Sequence, residues 1–216
     1  AAQKAAADSD IIRSLLIGEF ALQDGDAATA WKAFMTVAQR GKSADAAGRA
    51  FDIAQEAQDE KASDQSLKIW TELDPNNRQV RLQKAQDLMR RGQYDEAGAL
   101  LKDLIEAAGD PAGALNELSE MQRTAPEKDK AYRAFVAAAA GIAQDPRAQL
   151  ALSDLALRAG MHVEASEHAV KAMDLAPDSP HVIMKGIDAE FQNNPKQALS
   201  RLQGFLKRHP EAFELR

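Results

Sequence analysis

Three stretches of this chain are variants of one pattern, and that repetition restricts the possible folds more than any single motif. AQDLMRRGQYDEA (85–97), LSDLALRAGMHVEA (152–165) and GEFALQDGDAATA (18–30) each run from an amphipathic segment through a glycine turn. Each reaches a small residue five positions after that glycine, and a second amphipathic segment follows. Units started at Ile11, Ala44, Arg78, Ala112, Pro146 and Pro180 are separated by 33 residues and then by 34 four times. Self-similarity at a period of roughly 20–50 residues predicts stacked supersecondary units, each too small to bury its own apolar face alone. Composition selects helices as the building element. Only 5% of residues are aromatic while alanine is abundant, which favours helix and close helix approach over strand. In the third unit Ala97, Leu100, Leu101, Leu104 and Ile105 recur at three- and four-residue spacing, which is one apolar stripe on a helix.

Position by position, these units resemble the tetratricopeptide repeat, a 34-residue helix–turn–helix. The small residue of the first helix is Gly18, Ala85, Ser119 and Ser153, replaced by Phe51 and Ile187 in the second and sixth units. The turn glycine is Gly25, Gly92 and Gly160, with Gln58, Pro126 and Asn194 at that place elsewhere. The small residue where the second helix meets the first is Ala30, Ser63, Ala97, Ala131 and Ala165. In the sixth unit Ala198 comes one residue early, which predicts a shortened first helix ending near Asn193. Closing prolines are Pro75, Pro177 and Pro210; the tryptophan common early in such repeats is missing throughout. The resemblance implies an all-α, right-handed α-solenoid of about six helix–turn–helix repeats. Residues 1–10 are expected to be a tail or one extra helical turn, and 11–216 a single solenoid whose last helix, opening at Glu211, is cut short.

Local chemistry supports the helix starts independently. Asp110-Pro111, Asp145-Pro146 and Ser179-Pro180 each set a capping side chain before a proline at the first helical position. Proline lacks the N–H that a helix start leaves unpaired, so it loses nothing there.

No enzymatic signature emerges, and no cofactor or metal is expected. Arg40-Gly41-Lys42-Ser43 has the tail of a phosphate loop, but Thr36 stands where the first glycine is required, and an inter-repeat turn accounts for it. His162, His168, His181 and His209 lack metal-ligand spacing and read as surface residues. Cysteine is absent, which removes disulfides and thiolate chemistry. With 33 acidic against 27 basic residues the net charge is −6, which disfavours a phosphate-backbone partner, and no apolar run is long enough to cross a membrane. No small-molecule substrate is indicated either.

The resemblance places first helices on a concave face and implies a groove for a segment of another protein. Inner-face candidates are Leu82, Gln86 and Met89 in the third unit, Leu150, Asp154 and Leu157 in the fifth, and Met184, Asp188 and Phe191 in the sixth. The basic clamp by which some relatives hold a chaperone's terminal carboxylate is missing. Glu19, Asp52, Glu120, Asp154 and Asp188 take an equivalent place, so an amphipathic segment carrying Lys or Arg is the expected partner. The implied function is a non-catalytic protein–protein interaction scaffold, with the repeat region of a larger secretion, polymer-export or glycosyl-transfer protein as the alternative. The segment from Leu15 to Asp26 is similar to opening repeats of proteobacterial envelope proteins. That implies a periplasmic or outer-membrane-anchored scaffold, attached only through a lipid anchor outside this chain, with a cytoplasmic location as the alternative.

Overall fold

The computed structural model describes residues 2–210; the helix expected from Glu211 to Arg216 lies outside the described residues. Among these residues there are twelve α-helices and no strand. They are α1 (Ala2–Gln23), α2 (Ala27–Gly41), α3 (Ala44–Glu56), α4 (Glu60–Leu73), α5 (Arg78–Arg90) and α6 (Tyr94–Glu106). Then come α7 (Pro111–Leu118), α8 (Lys128–Ala138), α9 (Pro146–Arg158), α10 (His162–Leu175), α11 (Pro180–Asn193) and α12 (Pro195–Arg208). Read in pairs they are six consecutive helix–turn–helix units, so the described residues form an all-α array of helical hairpins at the repeat spacing of the sequence. The chain divides into two compact units, Ala1–Lys84 and Ala85–Arg216, with the division inside α5.

Small residues set how closely each hairpin closes. Ala30, Ala97, Ala131, Ala165 and Ala198 have no exposed surface, and Ser63 is buried as well. In the fifth hairpin the buried Ser153 Oγ donates to the Ala165 carbonyl at 2.8 Å, fastening α9 to α10 where only small side chains fit. Glycines receive large neighbours at three places. A Cβ on Gly18 would stand 2.9 Å from the Phe34 ring, one on Gly48 2.9 Å from the Trp70 indole, and one on Gly186 2.5 Å from Met173 Cγ. Gly48 is thus the seat of Trp70. Phe51, large where a small residue is the rule, packs with Trp70 at a centroid distance of 6.0 Å.

The turns follow backbone chemistry. Gly25, Gly92 and Gly160 have φ of 76°, 73° and 74°, and in the second hairpin Gln58 holds the same left-handed conformation at 56°. Asp145 accepts from the Arg147 N–H at 2.8 Å and Ser179 from the Val182 N–H at 3.4 Å, as their Pro-linked caps require. Asp110 departs from that expectation. Its side chain makes no capping bond; its carboxylate reaches instead to Arg147 at 3.0 Å.

Three further features correct the sequence reading. Helix α1 runs unbroken from Ala2, so residues 2–10 are more than one added turn. Helix α11 ends at Asn193 as expected but is not shortened: Asn194 alone separates it from α12, ending one helix and accepting from the Gln197 N–H at 3.3 Å to open the next. In the fourth hairpin α7 gives way after eight residues to a 3₁₀ segment, Ser119–Thr124.

Candidate functional site

Helices α7, α9 and α11 are the first helices of three successive hairpins, and together they line a pocket of about 330 Å³. Ala112, Gly113 and Asn116 come from α7, Arg147, Leu150 and Asp154 from α9, and His181 and Lys185 from α11. The i, i+3/i+4 spacing of Arg147, Leu150 and Asp154 brings one face of α9 into the pocket floor. Leu150 also packs against the core cluster of Met173, Val182, Ile183 and Phe205, so its side chain divides between pocket and core.

The charges are mixed. Arg147 is fixed by Asp145 at 2.9 Å and Asp110 at 3.0 Å, and its hydrogen bond holds the Asp110 carboxyl below the usual carboxylate range. Asp154 and Lys185 add one charge of each sign. The purely acidic border expected from sequence is therefore not what surrounds this pocket. Arg147, His181 and Lys185 were missed, although all three stand on first helices, which the resemblance sets on the groove side.

The other candidates distribute unevenly. Met89 has no exposed surface and is corrected from groove residue to core residue. Leu82 and Leu157 are half-buried and Gln86 is exposed; none of the three lines this pocket. Met184, Asp188 and Phe191 recur at i, i+4, i+7 on α11, and all three are exposed, Met184 by 42% and Phe191 by 46%. They share a helix with His181 and Lys185 but stand outside the pocket. A larger hollow, about 610 Å³, lies between the second helices α6 and α8, floored by Gly98, Ala134 and Ala138. It joins two elements only, whereas the smaller pocket gathers side chains from three.

His168 corrects the reading of the histidines as surface residues. It is half-buried, with Nδ1 2.7 Å from Gln149 Oε1 and Nε2 2.9 Å from the Tyr132 hydroxyl. Gln149 Nε2 donates to the Ala143 carbonyl at 2.8 Å, so its Oε1 must accept. The proton therefore sits on Nδ1, and Nε2 accepts from Tyr132. Burial, with Lys171 nearby, pushes the His168 pKa down; Glu164 and Glu167 oppose it. A depressed imidazole pKa means that the unfolded chain takes up the proton first as pH falls. Stability is complete above the ordinary histidine value of about 6.5 and is lost as pH drops through the window beneath it. Unfolding titrations from about pH 7 to about pH 5 should show a steeper loss for the wild type than for His168→Gln. Equal slopes would remove His168 from the pH response.

Among the described residues, no group of three His, Asp or Glu side chains is placed to hold a metal ion, and no helix is long and apolar enough to cross a membrane. No known family profile matches the sequence. No curated protein matches it either. Similar solved structures include PilW, described as a widely conserved type IV pilus biogenesis factor, at 14% identity over 95% of this chain and 96% of that one, with a TM-score of 0.43. MamA from Desulfovibrio magneticus is 20% identical over 77% of this chain and 94% of its own, with a TM-score of 0.47. A tetratricopeptide repeat protein from Parabacteroides merdae is 12% identical over 92% and 80%, again with a TM-score of 0.47.

Proposed function

We propose that this chain is a non-catalytic interaction scaffold that takes a segment of a partner protein against α7, α9 and α11. The pocket shared by three successive first helices carries this reading. An extended or helical segment laid across it would meet the apolar Leu150 between Asp154 on one side and Lys185 and His181 on the other. Mixed charge favours a partner segment that itself carries both signs, in place of a purely basic one. Exposed Met184 and Phe191 extend the apolar surface along α11. On the resemblance of its opening repeat, the scaffold belongs to a bacterial envelope, in the periplasm or held at the outer membrane; cell fractionation tests that part.

The pocket and the exposed apolar surface beside it on α11 are tested by binding. Immobilised wild-type protein should retain a partner from a lysate of the native organism, and Met184→Ser, Phe191→Ser and Lys185→Glu should each weaken retention. Anchoring side chains contribute ~1–3 kcal/mol each when truncated. Lys185→Glu should act mainly on association rate and salt sensitivity. All three positions are exposed, so the helical signal should stay unchanged. Undiminished retention by all three variants would move the binding surface elsewhere on the chain.

A further inference from the structure

We infer that the outward face of α1 is a self-association surface on which a second copy of this chain packs its own α1 antiparallel. The inward side of this helix is occupied. Gly18 faces Phe34, and Ile11, Ala21 and Leu22 join the cluster of Ala30, Phe34 and Ala47. On the opposite side Ile12, Leu16 and Phe20 follow one another at four-residue spacing, exposed by 59%, 53% and 62%. Leu15 and Ile17 flank them, at 38% and 44%. Leaving five such side chains in water is costly.

Size points to a protein-sized contact. Exposures of this order leave roughly 400–500 Å² of apolar surface, near the top of what a monomer shows. Doubled in a symmetric pair, that comes to at most the ~1,000 Å² of a specific interface. The order of residues points to a second copy. About Leu16 the sequence is a palindrome in chemistry: Leu15 with Ile17, Ser14 with Gly18, Arg13 with Glu19, Ile12 with Phe20. In a two-fold antiparallel pair crossing at Leu16, each residue stands level with its mirror in the other copy. Apolar then meets apolar, and Arg13 stands level with Glu19 twice over. Parallel pairing would set Arg13 beside Arg13. A two-fold contact needs only this one patch, used by both copies. Arg13 and Glu19 cancel within the stretch, so the face has no net positive charge with which to seek an anionic lipid surface.

Sedimentation or light scattering of the intact chain across a concentration series tests this directly. The wild type should pass from monomer to dimer. Leu16→Lys should remain monomeric with its helical signal intact, a loss of roughly 100-fold or more in dimer affinity. Arg13→Glu should weaken the dimer by roughly tenfold, and Arg13→Glu combined with Glu19→Arg should restore it, because the swap rebuilds the same cross-pair. A wild type that stays monomeric up to its solubility limit overturns the proposal. So does a Leu16→Lys dimer as tight as the wild type, and failure of the double swap to restore affinity overturns the antiparallel register.

Discussion

Ala165→Arg is expected to destabilise the C-terminal hairpins by roughly 3–5 kcal/mol. Ala165 has no exposed surface, and its carbonyl accepts the Ser153 hydroxyl at 2.8 Å. The methyl group and that bond lie buried between α9 and α10. An arginine there must either bury a guanidinium without a partner or force the helices apart and break the Ser153 bond. Chemical denaturation followed by circular dichroism measures the outcome. Because each repeat is held mainly by its neighbours, the loss should appear as early melting of the fifth and sixth hairpins, with the hairpins of residues 1–84 retained. Unchanged denaturation would mean that α9 and α10 are not held by this contact.

The same alanine shows why the fold was legible in the sequence. A contact that only a methyl group fits must be written as Ala, Gly or Ser wherever the hairpin recurs. Ala30, Ala97, Ala131 and Ala165 are therefore both the visible repeat and the buried contact. Gln58 was equally traceable, since the turn geometry persists at φ 56° after the glycine is gone. What escaped was decided by pairs distant in sequence. Asp110 reads as a cap next to Pro111, but its carboxylate also bonds a guanidinium 37 residues away. Gly48 looks like an inner-face residue until Trp70, 22 positions on, is seen to need the space. A missing residue before Ala198 has two solutions, a shorter helix or a shorter turn, and Asn194 satisfies both helix ends at once.

The candidate site was less legible than the fold for a related reason. Helical register gives the direction of a side chain to within tens of degrees, which separates core from surface but not one surface face from the next. Leu150 and Asp154 line the pocket of α7, α9 and α11, whereas Met89, on the same periodicity, is entirely buried. Charge was misread because single positions were followed down the repeats, and acids recur at one of them. The pocket wall combines several positions, and two of those contribute Arg147 and His181.

Arg201→Met should cost about 2–4 kcal/mol, because it strands a carboxylate inside the last hairpin. Arg201 on α12 donates from Nε to Glu190 on α11 at 3.2 Å and from Nη1 to Asp174 on α10 at 3.1 Å. Asp174 is open to water and loses little. Glu190 is 1% exposed and has little solvent to replace the guanidinium. Arg201 itself keeps about a quarter of its surface, so water entering the gap softens the loss, which is why the range lies below that of a fully buried pair. A buried ion pair repays its desolvation only when complete, so removing both charges should do less harm than removing one. Glu190→Leu combined with Arg201→Met is therefore expected to be more stable than Arg201→Met alone, and equilibrium denaturation of both singles and the double completes the cycle. If Arg201→Met alone proves neutral, Glu190 has reached water in solution and the three helices are held by their apolar contacts, chiefly Met173, Ile187 and Phe205.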